Sequence, residues 1–154
     1  MSIVRVAAAQ FAVTEDVDDN LATCLRMTDR AAAEGARVVV LPEFCNHVSW
    51  YDDREHARSK ALTLDGPFVA ALAAKAAEHG IHLMANVTLA REDGRTTGSN
   101  ILFAPDGAIL GVTDKQVLMG SERDHLDPAI APSPVIETSF GRSARRSNSI
   151  GRSG

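Results

Sequence analysis

Hydrophobic positions along the chain alternate between short unbroken runs and stripes spaced by three and four residues. Ile3 to Gln10 reads Ile-Val-Arg-Val-Ala-Ala-Ala-Gln, an apolar run that predicts a first buried strand. Val17, Leu21, Cys24, Leu25, Thr28, Ala31 and Ala32 then recur at helical spacing as one apolar stripe. Asp18 or Asp19 is placed to cap the start of that helix, and Gly35 to end it as a left-handed cap. Arg37 to Leu41 is dominated by valine, as expected of a strand covered on both faces. The unit is β-α-β, with a helix long enough for a right-handed crossover.

Residues 44–64 are polar, rich in aromatics and His and weakly periodic, which predicts a loop with a short helix. Asp65-Gly66-Pro67 starts the next helix, with Pro67 at its first position and Phe68, Val69, Leu72, Ala73 and Ala76 on its buried face. Gly80 stops it, and Ile81 to Leu89 reads as a third strand. Glu92-Asp93-Gly94-Arg95 makes a turn. Ser99 to Phe103 and Ile109 to Thr113 flank Ala104-Pro105-Asp106-Gly107, a hairpin signal. The fold class is therefore α/β, βαβαβ followed by an antiparallel meander. Pro128, Pro132 and Pro134 mark an extended connection, and Val135 to Phe140 reads as the start of another strand. At Ser143 the composition changes: four Ser, three Arg and two Gly in twelve residues predict a disordered tail at 143–154 after a domain at 1–142.

Charge narrows the partners. The tail holds three Arg and no acid, so residues 1–142 carry 13 basic against 20 acidic groups, a net of −7. An acidic body argues against nucleic acid. Two cysteines are too few for a disulfide framework and favour a reducing compartment. Met1 to Val13 makes a poor signal peptide, and no run is long enough to span a bilayer, so a cytoplasmic protein without membrane partners is the expectation.

Two charged residues stand at strand ends. Glu43 follows four apolar residues and a Pro, at the mouth of a parallel strand where α/β sheets place ligand sites; a general base and a simple strand-end ion pair both fit. Lys115 ends another β-rich segment, where an ammonium in a dry pocket would stabilise an oxyanion and a solvated Lys is the alternative. Glu122, seven residues on, could order Lys115 or stand as a surface acid. His47, Trp50 and Tyr51 follow Glu43 and are candidates for lining a substrate pocket. Cys45-x-His47 with His56 matches no standard zinc spacing, so no metal is expected. Cys24 lies in the helix stripe as a small core hydrophobe, and Cys45 lacks the sharp elbow that exposes a nucleophile. No phosphate-binding glycine loop follows a strand, which leaves a nucleotide-binding domain without its motif.

Together these residues resemble the nitrilase superfamily of carbon–nitrogen hydrolases. The resemblance rests on Val6-Ala7-Ala8-Ala9-Gln10-Phe11, Asn20-Leu21, and Gly35 through Leu41-Pro42-Glu43. It continues through Gly98-Ser99-Asn100, Pro105-Asp106-Gly107 and Asp114-Lys115-Gln116-Val117-Leu118 with Glu122. It implies the N-terminal part of a four-layer αββα sandwich, a homodimer, and no metal or organic cofactor. It also implies a Glu-Lys-Cys triad that attacks an amide, nitrile or carbamoyl carbon. Glu43 aligns with the base, Lys115 with the oxyanion cation and Glu122 with a second acid near the site.

The sequence departs where that family places its cysteine. After Thr138-Ser139-Phe140-Gly141-Arg142 it reads Ser-Ala-Arg-Arg-Ser-Asn. The expectation is a chain truncated before the nucleophile and inactive alone, with a non-catalytic binding or oligomerisation module as the alternative. The apolar faces of Ile81–Leu89 and Ile101–Phe103 are expected to lose partners and leave open edges.

Overall fold

The computed structural model describes residues 3–138 and 140–143. Helix α1 (Val17–Ala33) forms on the predicted stripe, with Cys24 and Thr28 fully buried on its inner face. Its cap is Asp16, not Asp18 or Asp19. Asp16 is the residue with extended backbone, and its carboxylate accepts from the Asp18 and Asp19 N–H groups at 2.9 and 3.0 Å. The two aspartates stand instead in the first turn, where they favour the positive end of the helix dipole. Gly35 (φ 84°) follows the helix in the left-handed conformation, as expected. Helix α2 (Arg54–Lys60) is the short helix of the polar loop, and α3 (Pro67–His79) starts at Pro67 and ends at Gly80.

Strands β1 (Val6–Ala8), β2 (Val38–Val40), β3 (His82–Ala90), β4 (Thr96–Phe103) and β5 (Ile109–Asp114) form one sheet in that order. β1, β2 and β3 run parallel, and β4 and β5 return antiparallel, which is the expected βαβαβ and meander. The strand order makes β1 an edge, so it is not the buried strand expected of its apolar run: Ile3 and Val6 are exposed, and only Ala7 and Ala9 meet the core. β2 is likewise covered on one face only. Val39 is buried among the helices, while Val38 and Val40 are half-buried opposite.

The open edges do not fall on β3 and β4. Tight turns at Arg91–Arg95 and Ala104–Ala108 pair β4 with a neighbour on each side, and every residue of β4 is buried. Leu83, Ala85, Val87 and Leu89 of β3 and Ile101 and Phe103 of β4 face α1 and α3 and join Phe68, Leu72 and Ile81 in the main core. Each of these side chains larger than alanine contributes about 1.5–3 kcal/mol relative to exposure.

The expected strand at Val135–Phe140 appears as β6 (Ile136–Thr138), paired antiparallel with β7 (Gly141–Ser143) in a separate small sheet. Phe140 packs edge-on against His82, so this hairpin lies against the sheet face opposite the long helices. The four-residue helix α4 (Glu122–His125) precedes it. The tail expected from Ser143 onward lies, after Ser143 itself, outside the described residues. No helix among the described residues is long and apolar enough to cross a membrane.

Candidate active site

β2 ends at Val40, and Leu41 adds one more bond to β3 before the chain turns away, its N–H donating to the Met84 carbonyl at 2.8 Å. Pro42 has no N–H to extend the ladder, so the chain leaves the sheet and presents Glu43 at its rim. Across the rim, Lys115 follows β5 directly. Its N–H donates to the Gly98 carbonyl (2.7 Å) and its carbonyl accepts from Ala129 (2.9 Å), which fixes the backbone on both sides.

The lysine side chain is the centre of the arrangement. Lys115 is only 7% exposed, and its Nζ donates to Glu122 Oε1 at 2.8 Å and to Glu43 Oε1 at 3.0 Å. Phe44 closes one side, its ring centroid 5.3 Å from Nζ. Burial works against the charge on Lys115, but the hydrogen bonds to Glu122 and Glu43 outweigh it and hold the ammonium's pKa above the ordinary lysine value. The group is a fixed cation.

The two carboxylates are not equivalent. Glu122 is largely buried and uses both oxygens, Oε1 on Lys115 and Oε2 on the Met119 N–H at 2.7 Å. Glu43 is 53% exposed and spends Oε1 on the lysine, so it is the carboxylate open to an incoming group. Glu122 anchors the cation, and Glu43 is placed to exchange a proton.

Sequence reasoning named Glu43, Lys115 and Glu122, and the fold brings all three together. The aromatic candidates are placed otherwise. His47 is fully buried; its Nδ1 donates to the Val48 carbonyl at 2.6 Å, and its ring stacks on Tyr51 at 5.3 Å. Burial holds the His47 pKa below the usual imidazole value. Tyr51 is hydrogen-bonded to Thr88 (2.6 Å) and packs with Phe44, Ala57, Leu118 and Leu126 in a second cluster beside Lys115. Trp50 is 75% exposed.

Phe44, Asn86, Asn100 and Gly98 also build the site and were not singled out for it. Phe44 N–H donates to Asn86 Oδ1 (2.8 Å), and Asn86 Nδ2 donates to Asn100 Oδ1 (3.1 Å). A Cβ on Gly98 would sit 3.0 Å from the Phe44 ring. A carboxamide in the middle of an apolar strand and a glycine inside another were the available signals.

Neither cysteine belongs to the site. Cys24 and Cys45 are fully buried in the main core, and the Cys24 thiol beside Cys45, with burial, holds the Cys45 thiol well above the ordinary range. Of the weak zinc pattern, Cys45 turns into that core, while His47 stacks on Tyr51 and stands edge-on to His56, ring centroids 5.8 Å apart. Asp29, Glu78 and His79 have ligand atoms close enough for a cation, but Lys75 Nζ lies 2.8 Å from both carboxylates and is already paired with them.

Comparisons with known proteins bear on the family and the fold. The family model described as carbon–nitrogen hydrolase matches residues 5–151. Omega-amidase NIT2 of Danio rerio is 32% identical over 120 residues, which cover 76% of this chain and 41% of that protein. A carbon–nitrogen hydrolase superfamily protein of known structure from Xanthomonas campestris has a TM-score of 0.80 at 24% identity, over 92% of this chain and 52% of that one. The NitFhit protein of C. elegans has a TM-score of 0.76 at 18% identity, over 91% and 37%. At such identities the two structures speak for the α/β, nitrilase-like fold alone. The chain spans about half the length or less of the relatives it matches. With the family match running over nearly its whole length, the chain belongs to the carbon–nitrogen hydrolases of the nitrilase superfamily.

Proposed function

We propose that Glu43, Lys115 and Glu122 form the base-and-cation part of an amide-hydrolysing site. Glu43 takes the proton from a thiol, Lys115 stabilises the oxyanion of the tetrahedral adduct, and Glu122 holds Lys115 in place. The observation that carries this is a buried ammonium held by two carboxylates at 2.8 and 3.0 Å, one of them half open to solvent. The amidase name of the NIT2 relative favours a small carboxamide over a nitrile or carbamoyl substrate. Of the three aromatics, exposed Trp50 remains our candidate for the substrate side, and buried His47 and Tyr51 are candidates for supporting a pocket wall from within.

Both cysteines are core residues and the 154 residues hold no other, so in this reading the chain supplies the base and the cation but no thiol, and it does not hydrolyse amides by itself. We place the family domain at 1–142 and the protein in the cytoplasm, with no cofactor. The test is ammonia release from simple carboxamides and ω-amides by the purified chain, together with amide NMR titration of the same compounds. Binding that shifts Lys115 and Glu43 without turnover is the expected result. Turnover abolished by Glu43→Gln would overturn the claim of inactivity, and no shift at either residue would overturn the site.

A second reading, a non-catalytic oligomerisation module, is favoured by the sheet face that carries exposed Val6 with half-buried Val38 and Val40. Sedimentation distinguishes it: a stable, cooperatively unfolding dimer supports the module, whereas a molten, ANS-binding species refutes it.

A further inference from the structure

Where β2 leaves the sheet, carboxamides replace strand pairing. Past Met84, the edge of β3 is satisfied by the loop that carries Glu43: Phe44 N–H donates to Asn86 Oδ1 and Cys45 N–H to the Asn86 carbonyl, both at 2.8 Å. Thr88 N–H in turn donates to Asn46 Oδ1 at 2.9 Å. Between these bonds the backbone reverses hand. Phe44 is the non-glycine residue found at positive φ (50°) among the described residues, a conformation that a bulky side chain adopts only when its surroundings impose it. The reversal leaves the Glu43 carboxylate half exposed on Lys115 and buries the next ring, Phe44, over Gly98.

Asn86 is 3% exposed, and its orientation is determined. Its Nδ2 donates to Asn100 Oδ1, which leaves Oδ1 to accept from Phe44. Asn100 pairs in register with Asn86 on one side and Thr113 on the other, its Nδ2 reaching Thr113 Oγ1 at 3.5 Å. One row of polar side chains therefore runs across β3, β4 and β5, from the Glu43 loop to the strand that Lys115 directly follows.

We propose that Asn86 is a positioning residue for the Glu43–Lys115 pair, locking the left-handed turn at Phe44 that delivers Glu43 to the lysine. This rests on the reading of Glu43 and Lys115 as the catalytic pair. Asn86 touches neither group, so its effect is transmitted through the Phe44 backbone.

The experiment is an NMR titration of the full chain with labelled lysine, following Lys115, with the amide spectrum as a check of fold. Glu43→Gln calibrates it by removing one carboxylate, which must lower the Lys115 midpoint. Asn86→Ala is expected to lower that midpoint comparably, and Asn86→Asp, which keeps an acceptor for the Phe44 N–H, is expected not to lower it. If Glu43→Gln leaves the midpoint unmoved, the pair itself is refuted. A midpoint that falls in Glu43→Gln but not in Asn86→Ala refutes the positioning role alone, as does an equal fall in Asn86→Asp. Should Asn86→Ala fail to fold, Asn100→Ala removes the group that orients the carboxamide, and an unmoved midpoint there is likewise decisive against the proposal.

Discussion

Lys115 and Glu122 are joined by a 2.8 Å hydrogen bond in which the lysine side chain is 9% and the glutamate 12% exposed. The second Glu122 oxygen is taken by the Met119 N–H, so the carboxylate cannot turn away without losing a backbone bond. Glu122→Gln is expected to destabilise the chain by about 1.5–3 kcal/mol, the range for a hydrogen bond to a charged group in a largely buried setting. Glu43→Gln, at a half-exposed partner, is expected to cost about 0–1 kcal/mol. Urea unfolding of the two variants checks the ranking, and equal losses would contradict the division of roles between the carboxylates.

The same contacts determine an alkaline limit. Because the folded Lys115 pKa is raised, its contribution is complete below the unfolded lysine value of about 10.4. It is lost as pH climbs through the higher folded value. The stability difference between the chain and Lys115→Met, followed by urea midpoints from neutral to strongly alkaline pH, is expected to shrink only in that upper window.

His47 works in the opposite direction. Burial depresses its folded pKa, so the unfolded chain binds the proton more readily. Stability attributable to the neutral ring is fully present above about pH 6.5 and declines as pH falls from there through the folded value. His47→Phe is expected to flatten the acid side of a plot of melting temperature against pH, and an unchanged slope would exclude His47 as its source.

Gly98 is required by the Phe44 ring rather than by its own backbone. A Cβ there would stand 3.0 Å from Phe44 Cε1 and Cζ, closer than ordinary contact. Gly98→Ala is expected to cost about 1–3 kcal/mol through overpacking. Adding Phe44→Leu is expected to recover part of it, and strictly additive losses in the double variant would show that the two residues do not collide.

Tyr51 and Thr88 share a buried 2.6 Å hydrogen bond. Tyr51→Phe leaves the Thr88 hydroxyl without that partner, at about 1–3 kcal/mol. Thr88→Val in the Tyr51→Phe background is expected to cost less than the sum of the single changes, as read from a double-mutant cycle.

The helices α1 and α3 were legible because periodicity, Pro67, Gly35 and Gly80 act within a few residues of where they are written. The cap stands two or three residues before the expected Asp18 or Asp19 because Asp16, Asp18 and Asp19 are chemically alike, and only the backbone angles separate the cap from the first turn. Glu43, Lys115 and Glu122 were legible as members of a family pattern, but the pattern carries no distances. Asn86 was marked only as an amide within an apolar strand and Phe44 not at all, because such an amide does not name its partner 42 residues away.

By itself, then, the sequence determined the strand and helix order, the hairpin at Pro105-Asp106-Gly107 and the chemical identity of the three charged site residues. These follow from local periodicity, turn chemistry and side-chain type. Tertiary structure alone decided that β1 is an edge, that Cys45 joins Cys24 in the core, and that Glu43 meets Lys115 across 72 residues of chain. Strand order and burial emerge only when the apolar faces pack together. The ammonium is committed to its two carboxylates because packing removes it from water.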